Sequence, residues 1–596
     1  MKLIKNICIL AASVVVLTGC REDLMDTFPY GSISSGNMWT SENLAEQGVT
    51  GIYNVLYDGN VAADLYKFDC FGVTSDCRDM DYSIMKGTVT TTDGLFSGYW
   101  QNHYKGIHRA NDAIAHLPAV EMDEAKKACL IAESKFFRAF FYYKLNMMYK
   151  GVPLYLEPVE LEECIQGRET EAKVWEAVIT DLTDCIDEPN LPGKYDKGHS
   201  SYGHITKGAA YALRGKVYMW LNEWGKAEAD FRKVGELGYG LFQGDYKELF
   251  KEANEQSEEM IFSLQCTGLS GYGNDFSFRY GSRVSFGSCW NTFLPNADFV
   301  DSYETKEGKS FNWNDYIPSY NEMDPDARAV FFLRDTIGEF QSYPEDVKAS
   351  VHKGFVQLES NGADMSKYMP EGNEARIKRV YEDRDPRLMA SIITPYSQYL
   401  GANGSAAYTY TLRWPYVGFD TAEPFDVKTD TNNRFYYLFR KFVAEGATEI
   451  PNRSYSPIDI PIIRYADVVL SLAECLNEQG KTEEAIEWVN KVRARAGIAL
   501  LNSNQHTQVA GQEDLRKRIR NERRWEFNGE GVNFFDEMRW KTWRESKFFD
   551  GAGLKQIWGT FQYKYNWGGD FLYTWPIPRT EIQMNENLKQ NDGWKD

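Results

Sequence analysis

The sequence predicts a mainly α-helical protein, a scaffold of tetratricopeptide-like helix hairpins interrupted by a long irregular insertion with loops and short strands. Two hairpin-like units and the stretch between them carry this expectation. In A-A-Y-A-L-R-G-K-V-Y-M-W-L-N-E-W-G-K-A-E-A-D-F-R-K-V, Gly215, Tyr218, Ala227 and Phe231 fall where such a hairpin wants them. Its first helix packs through Leu213, Val217 and Trp220, its second through Ala227, Phe231 and Val234. A second unit spans Tyr465 to Gly497, with Tyr465, Val469, Leu472 and Leu476 as one stripe and Gly480 ahead of Ala485, Val489 and Val492. Neither unit can bury its apolar face alone, so units from both ends of the chain must stack. Between them, about 263–462, Gly, Asn, Ser and aromatic residues dominate and helical periodicity is mostly lost.

The chain opens with an export signal over residues 1–19: basic Lys2 and Lys5, an apolar run from Ile7 to Leu17, and small residues before Cys20. The apolar run is shorter than the roughly 20 residues a membrane-spanning helix needs. The L-T-G-C ending resembles a bacterial lipoprotein box, which implies cleavage before Cys20 and lipidation there, a stable membrane anchor without a spanning segment. A polar tether follows. The rest, 20–596, reads as a single domain with helical parts at about 41–262 and 463–545 and a C-terminal wrap over 546–596. Ser41 is expected to cap a helix whose Ala45, Val49, Ile52 and Leu56 form a buried stripe. Asp64 to Trp100 reads as loops with short helical pieces, Tyr104 to Leu117 and Ala128 to Tyr149 as helices, and Asp385-Pro386 as the capped start of another.

With 66 basic against 86 acidic residues the net charge is -20, which repels phosphate backbones and makes nucleic acid a poor partner. The 37 Tyr and 16 Trp exceed what a core needs, so the surplus has to lie on surfaces or line a site. No C-x-x-C occurs, and His103/His108 and His199/His204 are spaced five apart, off one helix face, which argues against zinc. Cys70 and Cys77 are close enough in sequence to bridge in an oxidising compartment, whereas Cys129 and Cys475 read as small core residues. Neither a phosphate-binding Gly loop nor a nucleophile elbow is present. No catalytic residue and no cofactor is assigned, although Asp76 to Asp81 offers oxygens to calcium without the Gly and terminal Glu of a calcium loop.

The most charged stretch, R-I-R-N-E-R-R-W-E-F-N-G-E-G-V-N-F-F-D-E-M-R-W from Arg518 to Trp540, reads as a helix stopped by Gly529 and a second helix capped by Asn533. Charges beside Trp525, Phe527, Phe534 and Phe535 are tolerated only if paired. Glu522, Arg523, Arg524, Glu526, Glu530, Asp536 and Arg539 are therefore expected to form an ionic brace that locks the last helices onto the repeats.

Several stretches in order make the chain resemble the SusD/RagB family of glycan-binding surface lipoproteins, partners of TonB-dependent transporters. They are the lipobox and tether with Trp39-Thr40-Ser41-Glu42, Ala110-Asn111, A-E-S-K-F-F-R-A-F-F-Y-Y-K-L, I-T-K-G-A-A-Y-A-L, R-D-P-R-L, I-R-Y-A-D-V-V-L-S-L-A-E, N-E-R-R-W-E-F-N-G-E-G with F-F-D-E-M-R-W, and the closing P-I-P. The chain departs from the family pattern at Asn585-Glu586 and Gln590-Asn591-Asp592-Gly593-Trp594. The resemblance implies the SusD-like fold with four tetratricopeptide-like hairpins, an outer-membrane, cell-surface location, a lid-like position over a SusC-like transporter barrel, and oligosaccharide or, in some members, peptide ligands.

Sugars offer apolar C–H faces and hydroxyl edges, so exposed aromatic planes beside carboxylate, amide or guanidinium groups are the candidates. Tyr272, Tyr280, Trp290, Trp313, Tyr316 and Tyr320 in the insertion meet this pattern, as do Asp76, Arg78, Trp100 and Asn102 earlier in the chain. Each aromatic has a competing reading as a loop anchor, and Trp100, next to a helix, most of all. If Trp290 or Trp313 contacts ligand, its replacement by Ala is expected to weaken binding at nearly unchanged melting temperature. The net charge disfavours strongly anionic polysaccharides unless loops such as the one at Arg279 and Arg283 form a local basic patch. A surface glycoside hydrolase, which needs two carboxyls at a set separation, is the alternative from another class.

Overall fold

The computed structural model describes residues 38–418 and 423–595; the signal-like segment, Cys20 and the tether lie outside the described residues. The scaffold begins with α1 (Glu42–Tyr53), α2 (Gly94–His116), α3 (Glu124–Tyr149), α4 (Glu171–Asp187), α5 (Lys207–Trp220) and α6 (Trp224–Glu236). After the insertion, which holds α7 (Glu345–Ser360), come α8 (Tyr465–Glu478), α9 (Thr482–Ala496), α10 (Gln512–Glu526) and α11 (Asn533–Trp540). From α1 to α6 each helix packs on the next, α9 packs on α8 and α10, and α8 packs on α6, so the downstream hairpin docks directly on the upstream array across the insertion. Four helix pairs result: α1 with α2, α3 with α4, α5 with α6, and α8 with α9.

Local chemistry explains the boundaries. Asp123 caps α3 through the Lys126 N–H, and buried Phe136, Phe137, Phe140 and Phe141 make its interior face. In the α5–α6 hairpin a Cβ at Gly215 would come within 2.6 Å of the Phe231 ring, so only glycine lets the two helices approach. Helix α2 starts ten residues before the expected Tyr104, because Asp93, read from sequence as part of a turn, caps it through the Leu95 N–H. Ser41 occupies the N-cap position of α1 without a side-chain capping bond. The insertion is more helical than its composition suggested: α7 buries Val347, Val351, Phe355 and Leu358, an amphipathic stripe hidden among Gly- and Asn-rich neighbours. Asp385 caps the short helix Pro386–Ser391 through the Arg387 N–H, as the R-D-P-R-L run indicated.

Short antiparallel strand pairs tie the parts together. Strand β1 (Ser75–Cys77) pairs with β3 (Phe293–Pro295), joining an early loop to the insertion. Strand β2 (Met260–Leu264) pairs with β6 (Ile460–Arg464), so the chain leaves and re-enters the scaffold on neighbouring strands. Strands β4 (Gln398–Asn403) and β5 (Ala406–Thr411) form a hairpin, as do β7 (Gly553–Lys555) and β8 (Phe561–Lys564). The C-terminal segment lies on the first repeats: the backbone N–H of Trp575 donates to the Met148 carbonyl, and Trp594 packs on Phe96. Cys70 and Cys77 are buried, free thiols.

The charged stretch near the end forms a buried ion network. Glu526 meets Arg387 at 3.0 Å, Arg464 at 2.7 Å and also Arg495. Glu522 meets Arg387 at 2.6 Å and Arg493 at 3.0 Å; Glu530 meets Lys441 at 2.5 Å and Arg464 at 2.8 Å. Arg523 bridges Asp467 at 2.8 Å and Asp536 at 2.7 Å, Arg539 holds Glu474 at 2.7 Å, and Arg524 holds Glu537 at 2.7 Å. Burial alone would raise the Glu526 carboxyl, but Arg495, Arg464 and Arg387 hold it well below the usual range. Asn533 does not cap α11 as expected; its side-chain oxygen instead accepts the Val73 N–H at 2.7 Å, tying this stretch to the early loop.

Glu522→Ala leaves Arg387 and Arg493 short of a buried partner and is expected to cost about 3–5 kcal/mol, read as a fall in the denaturation midpoint, with ligand affinity of the folded protein unchanged. A second expectation concerns pH. Burial pushes Asp69 and Glu255 up to about 7 and Asp301 up to about 6, against about 4 in an unfolded chain. Between pH 7 and 5 the folded state therefore binds more protons, and stability rises as pH falls. His103, pushed down to about 3 by burial, and Lys144, pushed down to about 7, oppose this against the three carboxyls. Below about pH 4 the trend reverses, because Glu526 and Asp467, held low in the fold, take up protons and lose their partners. Melting temperature measured across this range should peak near pH 5 rather than at neutrality.

Candidate functional site

The structure separates the ten sequence candidates by burial. Trp100, Tyr280, Trp313, Tyr320 and Asp76 are all buried. Trp100 packs edge-on against Tyr149 inside the repeats and Tyr280 stacks on Phe439, so the expectation that they form a ligand surface is corrected: both are core. Asp76 is fixed by Asn296, Lys547 at 3.1 Å and the Tyr565 hydroxyl, which leaves it unavailable to ligand or calcium. Asn102 anchors the Gly59 carbonyl at 2.8 Å, and Tyr316 is half-buried beside Phe311. Tyr272 is 55% exposed, its ring edge-on to Tyr57. Trp313 stacks on Tyr320 at 4.6 Å, and its indole N–H donates to Asp301 at 2.9 Å; the pair forms the floor of a cleft rather than an open surface.

Two candidates far apart in sequence do meet. Trp290 is 41% exposed, and its ring rests on Phe278 with centroids 4.6 Å apart. Arg78 donates to the Trp290 carbonyl at 2.5 Å and to Asp430 at 2.8 Å, while Asp79 holds its other edge at 2.8 and 3.1 Å. Arg283 pairs with the same Asp430, and Arg279 pairs with Asp275 at 2.7 Å. Arg279 and Arg283 thus form no free basic patch; their guanidinium groups are paired, a rigid rail beside an aromatic plane. The β1–β3 pairing creates this meeting, since it sets the loop after Cys77 against the loop before Phe293.

The backbone around Trp290 is unusual. Ser288 and Asn291 adopt left-handed conformations, φ 61° and 38°, which non-glycine residues rarely do. Asn291 is held there by its N–H to Gly281 at 2.6 Å and by its side-chain oxygen, which accepts the Asp430 N–H at 3.0 Å. Arg453 closes the loop from behind, donating to the Gly287 and Ser288 carbonyls at 2.6 and 2.5 Å and lying 4.5 Å from the Phe278 centroid. This bracing keeps a large apolar ring outward, where burial would otherwise be favoured. Phe278, Asp430 and Arg453 escaped the sequence reading; Asp430 lies 139 positions from Asn291, 147 from Arg283 and 352 from Arg78 and carries no local signal.

Comparison with known proteins places the chain. A family model described as "SusD family" matches residues 258–594, and one described as "Starch-binding associating with outer membrane" matches residues 25–219. The chain belongs to the SusD family. It is 23% identical to SusD-like protein P25 of Formosa agariphila, over 99% of this chain and 98% of the relative. A SusD-like carbohydrate binding protein of Bacteroides fragilis superposes with a TM-score of 0.70 at 23% identity, covering 93% of this chain and all of that one. A laminarin binding SusD-like protein superposes with a TM-score of 0.60 at 22% identity and covers 93% of this chain and 100% of its own. The helical scaffold with its irregular insertion is thus the SusD-like fold.

The burial of Trp313 changes the outcome expected for its replacement. Trp313→Ala should destabilise the protein by about 3–5 kcal/mol, read by chemical denaturation, because it empties a packed site between Tyr320, Phe332 and Tyr381.

Proposed function

We propose that the protein is a cell-surface glycan-binding lipoprotein that captures oligosaccharides on the Trp290–Arg78 platform and delivers them to a partner TonB-dependent transporter in the outer membrane. The observation that carries this reading is the outward Trp290 ring, braced on Phe278 and bordered by the fixed Arg78 guanidinium and Asp79 carboxylate. An aromatic plane takes the C–H face of a sugar, and the flanking charges take its hydroxyls. Family membership supports it, as do the carbohydrate and laminarin binding named for structural neighbours and the starch-binding, outer-membrane description of the N-terminal match. Lipidation at Cys20, after removal of residues 1–19, supplies the anchor in this reading.

Peptide capture on the same face and hydrolysis of a glycan are the competing readings. Asp79 and Asp430 are tied to Arg78 and Arg283, an arrangement suited to binding rather than to a pair of carboxyls that exchange protons. New reducing ends after incubation with polysaccharide would overturn the binding reading, and preference for a peptide library over a glycan array would replace its ligand.

Trp290→Ala should weaken binding of the best glycan from such an array at least ten-fold in calorimetric titration, about 1.4 kcal/mol, with melting temperature within a degree or two of wild type. Unchanged affinity would remove Trp290 from the site.

A further inference from the structure

A second opening lies between the insertion and the C-terminal segment. Its volume is about 340 Å³, and its floor is the stacked pair Trp313 and Tyr320. Small-molecule sites fall in a range of roughly 300–1,000 Å³, so the size suits a ligand rather than trapped solvent. Trp558, Phe549 and Phe561 line the other side. Phe549 and Phe561 are 41% and 38% exposed, although a protein can usually bury two phenyl rings this close to its core. Lys555 sits between them, 5.7 and 5.2 Å from the ring centroids, and is pinned by Asp298 at 2.8 Å.

The polar lining is as informative. Asp301 accepts the Trp313 indole N–H on one oxygen, which fixes its carboxylate. Its other oxygen, Oδ1, is buried and has no hydrogen-bond partner among the described residues, a costly state that a hydroxyl donor relieves. The neighbouring Arg384 directs its Nε and Nη2 to the Val300 and Tyr303 carbonyls instead. The cations of the cleft are likewise engaged, Lys555 with Asp298 and Arg328 with the Met323 and Asn321 carbonyls. What faces an incoming molecule is aromatic surface, the engaged cations and the carboxylates of Asp298, Asp301 and Asp550, which fits an uncharged, hydroxyl-rich ring and not an anion.

Strand β8 links this cleft to the Trp290 platform. It starts at Phe561 and passes Tyr563, whose hydroxyl donates to the carbonyl of Cys77, the residue before Arg78. Two residues of strand, about 7 Å, separate Phe561 from Tyr563, and the Tyr563 side chain spans the remaining way to the Cys77 carbonyl.

We propose that the cleft between Phe549, Phe561 and Trp313 is a second site for a neutral sugar unit, with the phenyl rings stacking on it and Asp301 accepting a hydroxyl, so that one oligosaccharide spans cleft and platform. This rests on the glycan-binding reading above, and the test separates the two. Neutral laminarin, starch, xylan and galactomannan oligosaccharides, from disaccharide to octasaccharide, are titrated into wild type, Trp290→Ala, Phe549→Ala/Phe561→Ala and Asp301→Asn. Wild type is expected to gain at least ten-fold in affinity as the chain lengthens, through the second contact made at high effective concentration. The double phenylalanine variant, altered only at exposed rings, should lose that gain while keeping wild-type affinity for the shortest binder; Asp301→Asn should lose part of it. If the double variant matches wild type at every length while Trp290→Ala does not, the second site is refuted and the first reading stands. If wild type binds none of these glycans, both fall.

Discussion

Glu526 is the point on which the architecture depends. A carboxylate in the interior is stable only with its partners in place, and its partners come from three different parts of the chain. Arg387 belongs to the insertion, Arg464 to the strand that re-enters the scaffold, and Arg495 to the last hairpin. Glu259, at the exit from the first half, shares two of those arginines, at 2.6 Å from Arg464 and 3.1 Å from Arg495. No one segment satisfies its charges alone, so the network favours the assembled arrangement over partly docked ones. That is a specificity argument more than a stability one, since an apolar cluster of equal volume could hold the same helices without selecting their register.

From this centre the binding face follows by geometry. The strand pairs β1–β3 and β7–β8 lie where early loop, insertion and C-terminal segment converge, and both the outward Trp290 and the cleft floored by Trp313 sit beside them. Rigid support explains how large rings stay exposed there: the loop carrying Trp290 is held by Arg78, Asn291 and Arg453 through backbone carbonyls and a carboxylate, not by burial of the ring itself.

Much of the scaffold was legible in the sequence because helical stripes and caps are local signals. Gly215 against Phe231, Asp385 before Pro386 and the charges of Arg518 to Trp540 all declare themselves within a few residues. The site was legible only in part. Composition singled out Trp290 and Arg78, yet it could not separate Trp290 from Trp313, since burial is decided by contacts such as Tyr320 and Phe332 rather than by the small polar residues that flank both. Phe549 and Phe561 were passed over as part of a wrap, although the run Trp558-Gly559-Thr560-Phe561, aromatics around a Gly, resembles the insertion's own loops. Asp301 and Asp430 had no readable signal, because their meaning lies entirely in partners distant along the chain.

The pairing of β2 with β6 places the departure and return of the insertion on adjacent strands, about 4.8 Å apart. A segment whose two ends are already held together imposes little closure cost on its host, whatever its length. The length of the insertion therefore costs the scaffold little, while Arg387 and Lys441 reach inward from it to Glu526 and Glu530. The exposed surface of the insertion can thus be long and irregular while inward-pointing cations keep it in register with the helices beneath.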